Sequence, residues 1–361
     1  MSSAEHAAEY TDLLERLVSI PSPSGDEGAA AAALVEWLSA RGFDAHVDAA
    51  GNAVGMRGDG PREALLLGHI DTFPGELPVE RRDGWLTGRG SVDAKGPLCA
   101  FAAAAASAAI PPGWRVTVVG AVEEEAATSK GARYLLEHHP APDCCVIGEP
   151  SGWDRVTLGY KGRLLAHVRL RAPFAHSAGE TPLPAEQGAA LWNRVVKQCT
   201  AFNAGREGAF ARLDPSLRAI NSADEGAYGL VDLDLSFRLP PGLAPATLSA
   251  NVASWLAVEP PTEVDISFSG GEIAHESDKN TPLVRGFLRA IREQGARPRF
   301  VVKTGTSDMN VVGPAWECPI IAYGPGDSAL DHTPDERIEL DVYLRAIGVL
   351  RAALAHVMAE D

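Results

Sequence analysis

Three apolar runs in this chain each end in a side chain able to ligate a metal, and that pattern constrains the fold more than anything else in the sequence. Leu65-Leu66-Leu67-Gly68 leads into His69, the run 116–122 leads into Glu123, Glu124 and Glu125, and Cys144-Cys145-Val146-Ile147-Gly148 leads into Glu149. Short apolar runs of this kind read as buried strands. Open α/β sheets bind ligands in the crevice at the carboxyl ends of their strands. The expectation is therefore a sheet that delivers these ligands to one crevice. With Asp71, Asp93 and His332 added, the set reads as a centre for two metal ions.

The pattern along the chain supports an α/β class. Up to about residue 159, helical stretches (26–40 and an alanine-rich one from Leu98) alternate with the apolar strands. A different texture begins near Tyr160: an alternating strand at 163–171, a helix at 185–202, a strand at 230–239, a helix at 245–258 and a strand at 263–268. This β-α-β-α-β order predicts a small α+β unit of its own. After Gly270-Gly271 the first texture returns, with a helix at 281–294, strands at 300–302 and 319–323, and a terminal helix from Leu340. The predicted organisation is one discontinuous domain, 1–159 and 272–361, interrupted by an inserted domain, 160–271.

Composition limits the partners. The formal net charge of −16 opposes binding to a nucleic-acid backbone or an anionic membrane. No charged n-region followed by an apolar h-region opens the sequence, which starts instead with a helical pattern carrying Leu13, Leu14, Leu17 and Val18 on one side. The alanine-rich stretch from Gly96 to Trp114 is interrupted by Pro111-Pro112 and reads as a buried helix, short of a membrane span. Five cysteines without a C-x-x-C pair suggest reduced, packed thiols and a cytoplasmic location.

Two-metal hydrolysis needs ligands for two cations, a carboxylate that bridges them and a base for the attacking water. His69 suits a neutral-imidazole ligand, and Asp71 is placed to accept its other ring N–H and fix the tautomer. Asp93 lies in the glycine-rich turn 88–96, where a carboxylate can approach two cations, and is the candidate bridge. Three consecutive glutamates at a strand end repel one another unless cations relieve them. Imidazole with carboxylate suits zinc, and cobalt or manganese would accept the same donors. Competing motifs fail. The glycines of 88–96 lack dinucleotide-fingerprint spacing, no G-x-x-x-x-G-K-[ST] occurs, and Lys303-Thr304-Gly305 has no S-x-x-K partner.

The order Gly68-His69-Ile70-Asp71-Thr72, then 88–96, then Glu123-Glu124-Glu125, then Gly148-Glu149-Pro150 and a late His332 resembles the co-catalytic zinc superfamily of aminoacylases, acetylornithine deacetylase, succinyl-diaminopimelate desuccinylase and glutamate-releasing carboxypeptidases. The likeness covers nearly the whole chain. It implies a mixed-sheet α/β zinc-hydrolase domain carrying an inserted α+β lid or dimerisation domain. It also implies one metal held by His69, Asp93 and Glu149, a second by Asp93, Glu125 and His332, and Glu124 as general base. His176, in Ala175-His176-Ser177-Ala178, matches the superfamily histidine that polarises the scissile carbonyl from a neighbouring subunit, although Glu180 stands where relatives carry proline. Asn221, Arg238 and the loop Gly305-Thr306-Ser307 resemble residues that hold the substrate's carboxylate or the oxyanion.

Within the superfamily, the segments 122–133 and 148–153 most resemble hydrolases of lysine and arginine biosynthesis that free lysine, or ornithine, from the γ-carboxyl of an acidic amino-group carrier protein's terminal glutamate. Alternatives are a deacylase of small N-acetyl or N-succinyl amino acids and a metal-dependent carrier-binding module without turnover. The resemblance further implies a homodimer. On the strand 163–171, Arg163, His167, Arg169 and Arg171 share one face by period-two alternation, with Lys161 and Arg155 extending the charge. A basic face of that kind is expected to dock the acidic carrier.

Overall fold

The computed structural model describes residues 3–359. By compactness the chain divides into two units, one of residues 1–159, 277–302 and 307–361, the other of residues 160–276 and 303–306.

The first unit is built on a mixed sheet, ordered Asp44–Val47, Ala53–Gly58, Trp114–Ala121, Arg62–His69, Cys144–Gly148, Ile320–Ala322 and Arg155–Tyr160. Trp114–Ala121, Arg62–His69, Cys144–Gly148 and Ile320–Ala322 run parallel, whereas the outer strands pair antiparallel. The parallel strands are mostly apolar because both faces are covered. Ala64, Leu66, Val118 and Val146 enter the main core on one side, while Leu65, Leu67, Val119 and Ile147 are equally buried on the other. The alanine-rich helix Lys95–Ser107 packs on these strands. Its small side chains permit close approach: a Cβ on Gly148 would fall 2.9 Å from the Gly68 Cα and from Phe101. Truncating Leu66 to alanine in such a core typically costs about 2–5 kcal/mol.

Leu340–Ala359 is the one helix among the described residues that is long and apolar enough to cross a membrane. It packs against Pro282–Glu293 and Lys95–Ser107, with Tyr343, Leu350 and Leu354 inside the core. Ser3–Val18 buries Leu13, Leu14, Leu17 and Val18, the side its pattern predicts. All five cysteines are free thiols.

The second unit is a four-stranded antiparallel sheet, ordered Asp214–Glu225, Tyr228–Leu239, Gly162–Pro173 and Glu263–Glu272, with helices Pro184–Phe202 and Pro245–Trp255 packed on it. The order along the chain is thus β-α-β-β-α-β, one strand more than the sequence pattern suggests. The extra strand, Asp214–Glu225, is an edge strand without buried positions, so it carries no apolar alternation to detect. The apolar side of Gly162–Pro173 is buried as predicted, through Leu164, Ala166, Val168 and Leu170.

The other side of that strand corrects the expected basic docking face. Register pairs Arg169 with Asp232 on one neighbour and Asp265 on the other, and His167 with Asp234. Arg169 donates to Asp232 at 2.7 Å and Arg171 to Glu225 at 2.9 Å. Lys161 does not extend any exposed charge. It is fully buried, with its ammonium donating to the Asp214 carboxylate at 2.5 Å and to the backbone carbonyls of Ala209 and Arg212. Acidic residues from adjacent strands therefore pair with His167, Arg169 and Arg171, and this part of the face is a mixed-charge ladder rather than a run of free cations.

Candidate metal centre

Three adjacent parallel strands end level with one another. Gly68 pairs with both Gly120 and Gly148, and His69 pairs with Ala121. At those ends or within four residues beyond them the chain presents His69, the glutamates 123–125 and Glu149 at a single edge. Asp93 comes from the turn preceding Lys95–Ser107, and His332 from the loop between Ile320–Ala322 and Arg337–Glu339. Gly90 in that turn has φ +83°, and a Cβ there would meet the Thr72 side chain at 2.6 Å, so the tight approach requires glycine.

His69 is buried, 2% exposed, and its two nitrogens have separate partners. Nδ1 lies 3.0 Å from the Asp71 carbonyl oxygen and 3.4 Å from its Oδ1. Nε2 faces Asp93 Oδ1 at 3.2 Å, with Glu124 Oε2 and Glu149 Oε1 each at 4.0 Å. His332 Nε2 lies 3.0 Å from Asp93 Oδ2 and 2.8 Å from Glu125 Oε1. Each oxygen of Asp93 thus faces a different imidazole. Asp71 holds the surroundings together: it accepts from Ser24 Oγ at 2.7 Å and from the amides of Glu124 and Glu125 at 3.1 and 3.0 Å.

Two groups of donors result, His69 with Glu124 and Glu149, and Asp93 with Glu125 and His332, each within 4.8 Å of one another. Four carboxylates beside two imidazoles form a strongly negative site. Its field shows in the proton affinities. Burial works against charging His69, yet hydrogen bonds to Asp71 and Asp93 raise its pKa well above the ordinary value. Hydrogen bonds to Asp93 and Glu125 push His332 up to about 10. Burial, with Glu149, Asp308 and Glu125 nearby, raises the Glu124 carboxyl well above the carboxylate range. A site that draws protons onto both imidazoles and one carboxylate is one that cations would fit.

Several residues at this site went unassigned in the sequence reading. Ser24 bonds Asp71, Phe73 stacks on His332, and Glu336 accepts from the Val92 and Asp93 amides. Asp308, at the start of the helix Asp308–Trp316, adds negative charge near Glu124. Only Glu336 left a local signal, four residues after His332. Of the residues proposed to contact substrate, His176 is exposed, with Nδ1 accepting the Ala178 amide at 3.1 Å. Asn221 is exposed on the edge strand opposite Asp232. Arg238 donates to Thr306 Oγ1 at 2.6 Å within the second unit. Gly305 and Thr306 precede Ser307, which caps Asp308–Trp316 by accepting the Met309 amide at 3.2 Å.

The model for peptidase family M20/M25/M40 matches residues 65–356. The chain belongs to this family. Like other members it is a metal-dependent hydrolase of amide bonds. A LysW-lysine hydrolase of Deinococcus radiodurans is 47% identical to this M20/M25/M40 peptidase over 99% of both chains. A protein of Thermococcus kodakarensis, provisionally named LysW-lysine/LysW-ornithine hydrolase, is 41% identical and covers 97% of this chain and 92% of its own. Among solved structures, human carnosine dipeptidase 1 superposes with a TM-score of 0.78 at 16% identity, covering 98% of this chain and 97% of its own. That likeness bears on the fold alone.

Proposed function

We propose that this M20/M25/M40 peptidase releases lysine, or ornithine, from a LysW-type carrier protein by hydrolysing the amide between the amino acid and the γ-carboxyl of the carrier's terminal glutamate. The observation that carries the reading is the 47% identity to a LysW-lysine hydrolase along the full length of both proteins. The place of action would be amino-acid biosynthesis in the cytoplasm, and the working form a homodimer.

His69 and Glu149, with Asp93 at 3.2 Å from His69, would hold one divalent cation and Asp93, Glu125 and His332 another, zinc being the metal that best suits these donors. When bound, such cations supply Lewis acidity to the attacking water and the scissile carbonyl. Asp71 orients His69 and fixes which ring nitrogen faces the centre. Glu124, as a carboxylate beside the cations, would take the proton from the attacking water and return it to the leaving α-amine. His176, from the partner subunit, hydrogen-bonds the carbonyl oxygen as negative charge develops on it. Arg238 and Asn221, with the loop Gly305-Thr306-Ser307, anchor a carboxylate of the substrate.

The test is a side-by-side assay of carrier-lysine, carrier-ornithine, acetylornithine and succinyl-diaminopimelate. The reading requires kcat/KM for a carrier-linked substrate to exceed that for both small acyl substrates. A reversed order would make the protein a small-molecule deacylase, and no amine release from any of them would favour a carrier-binding module.

A further inference from the structure

The two imidazoles of the centre are held very differently. His69 is enclosed, whereas the His332 side chain is 40% exposed on a loop, with a backbone φ of +61° that non-glycine residues adopt at a cost. Something must fix its ring plane. Phe73 lies flat against it, ring centroids 4.3 Å apart and planes 14° from parallel. The guanidinium carbon of Arg89 stands 5.8 Å from the Phe73 ring centroid, within cation–π range.

Arg89 is itself fixed at both ends of its fork, by the Gly75 carbonyl oxygen at 3.1 Å and by Glu336 Oε2 at 2.7 Å. The other oxygen of Glu336 accepts the Val92 and Asp93 amides at 3.0 and 3.1 Å. Glu336 has no exposed surface, so its charge depends on these partners. A single buried carboxylate therefore grips the backbone of Asp93 directly and reaches the His332 ring through Arg89 and Phe73. Through Asp93, whose Oδ1 lies 3.2 Å from His69 Nε2, Glu336 touches both halves of the centre, whereas the stack of Arg89 and Phe73 is directed at His332.

We propose that Phe73 and Arg89, the latter anchored by Glu336, are positioning residues for one half of the centre: they pre-set the His332 ring, and so determine the affinity of the cation bound by Asp93, Glu125 and His332. The inference rests on the two-cation reading given above and adds that the two positions are tuned separately. Losing a partner that orients a ligand typically costs about 10–100-fold in metal affinity. Phe73→Leu removes the aromatic stack at a half-exposed position where folding tolerates the change, and Phe73→Tyr keeps it. Glu336→Gln keeps the shape but gives up the ion pair to Arg89.

The experiment is calorimetric titration of Zn²⁺ into metal-stripped protein, with thermal unfolding of the metal-free forms alongside. Wild type should bind two cations. Phe73→Leu should weaken one binding step by about tenfold or more and leave the other within about threefold, with Phe73→Tyr close to wild type, whereas Glu336→Gln, which also disturbs the Asp93 backbone, should weaken both steps. Equal weakening of both steps by Phe73→Leu, or two unchanged steps, overturns the proposal. So does a Phe73→Leu effect that merely tracks a loss of metal-free stability without splitting the two steps. Wild-type protein that takes up fewer than two cations would overturn the two-cation reading itself, and the proposal with it, an outcome distinct from the others.

Discussion

Asp71 accepts the backbone N–H of Glu124 at 3.1 Å, so the residue that orients His69 also fixes where the proposed base begins. Asp71→Asn should disturb both at once, because its amide nitrogen would face donors it cannot accept from. The expected result is a drop of about 10–100-fold in kcat/KM with a parallel loss of metal affinity. Steady-state kinetics at saturating metal checks it, and an unchanged kcat/KM would show that neither contact matters.

Glu124→Gln separates base from scaffold. The amide keeps the size of the side chain but cannot accept the water's proton, so kcat should fall by about 10²–10⁴-fold while metal content stays near wild type. Elemental analysis beside turnover measures both. Asp93→Ala should behave differently, losing metal and activity together, because its two oxygens face the two imidazoles at 3.2 and 3.0 Å.

His176 is expected to act across a dimer. Mixing His176→Ala with Glu124→Gln subunits, under conditions shown to exchange them, should recover part of the lost activity. A mixed dimer would contain one site with both groups intact. No recovery after proven exchange would place His176 in the site of its own chain or outside catalysis.

Away from the centre, Glu63 gives the protein a predictable acid limit. Burial alone would raise its pKa, but hydrogen bonds from His139, Arg115 and Thr117 outweigh burial and lower it to about 2 from 4.5. A carboxylate with a depressed native pKa contributes stability above its unfolded pKa and loses it as pH falls toward the native value. That contribution is about 3 kcal/mol, complete above roughly pH 5 and gone near pH 2. Denaturant unfolding of wild type and Glu63→Gln across this range should show the gap closing on acidification. A gap that does not change with pH would contradict the account.

The sequence displayed those parts of the fold whose signal is local. His69, the glutamates 123–125 and Glu149 stand out because each follows an apolar run, and the structure places them at or just beyond parallel strand ends. Contacts made across long stretches of chain were not visible. Ser24 reaches Asp71 over 47 residues with nothing unusual in its own segment, and Glu336, although close to His332 in sequence, reaches Val92 over 244. The edge strand Asp214–Glu225 escapes notice because none of its positions is buried, so its apolar pattern is weak. The basic stripe of 163–171 misleads for a related reason: His167, Arg169 and Arg171 pair with Asp234, Asp232 and Glu225, which come into place only when strands pair. Neutralising Arg169 should accordingly leave KM for a carrier-linked substrate close to wild type.

The intact mass of the carrier tests lysine release most directly. A lysine-loaded carrier incubated with the enzyme should lose the mass of one lysine residue while free lysine appears in equal amount, and both changes should stop with a chelator or in Glu124→Gln. A carrier that keeps its mass, under conditions where the same enzyme deacylates acetylornithine or succinyl-diaminopimelate, would contradict it.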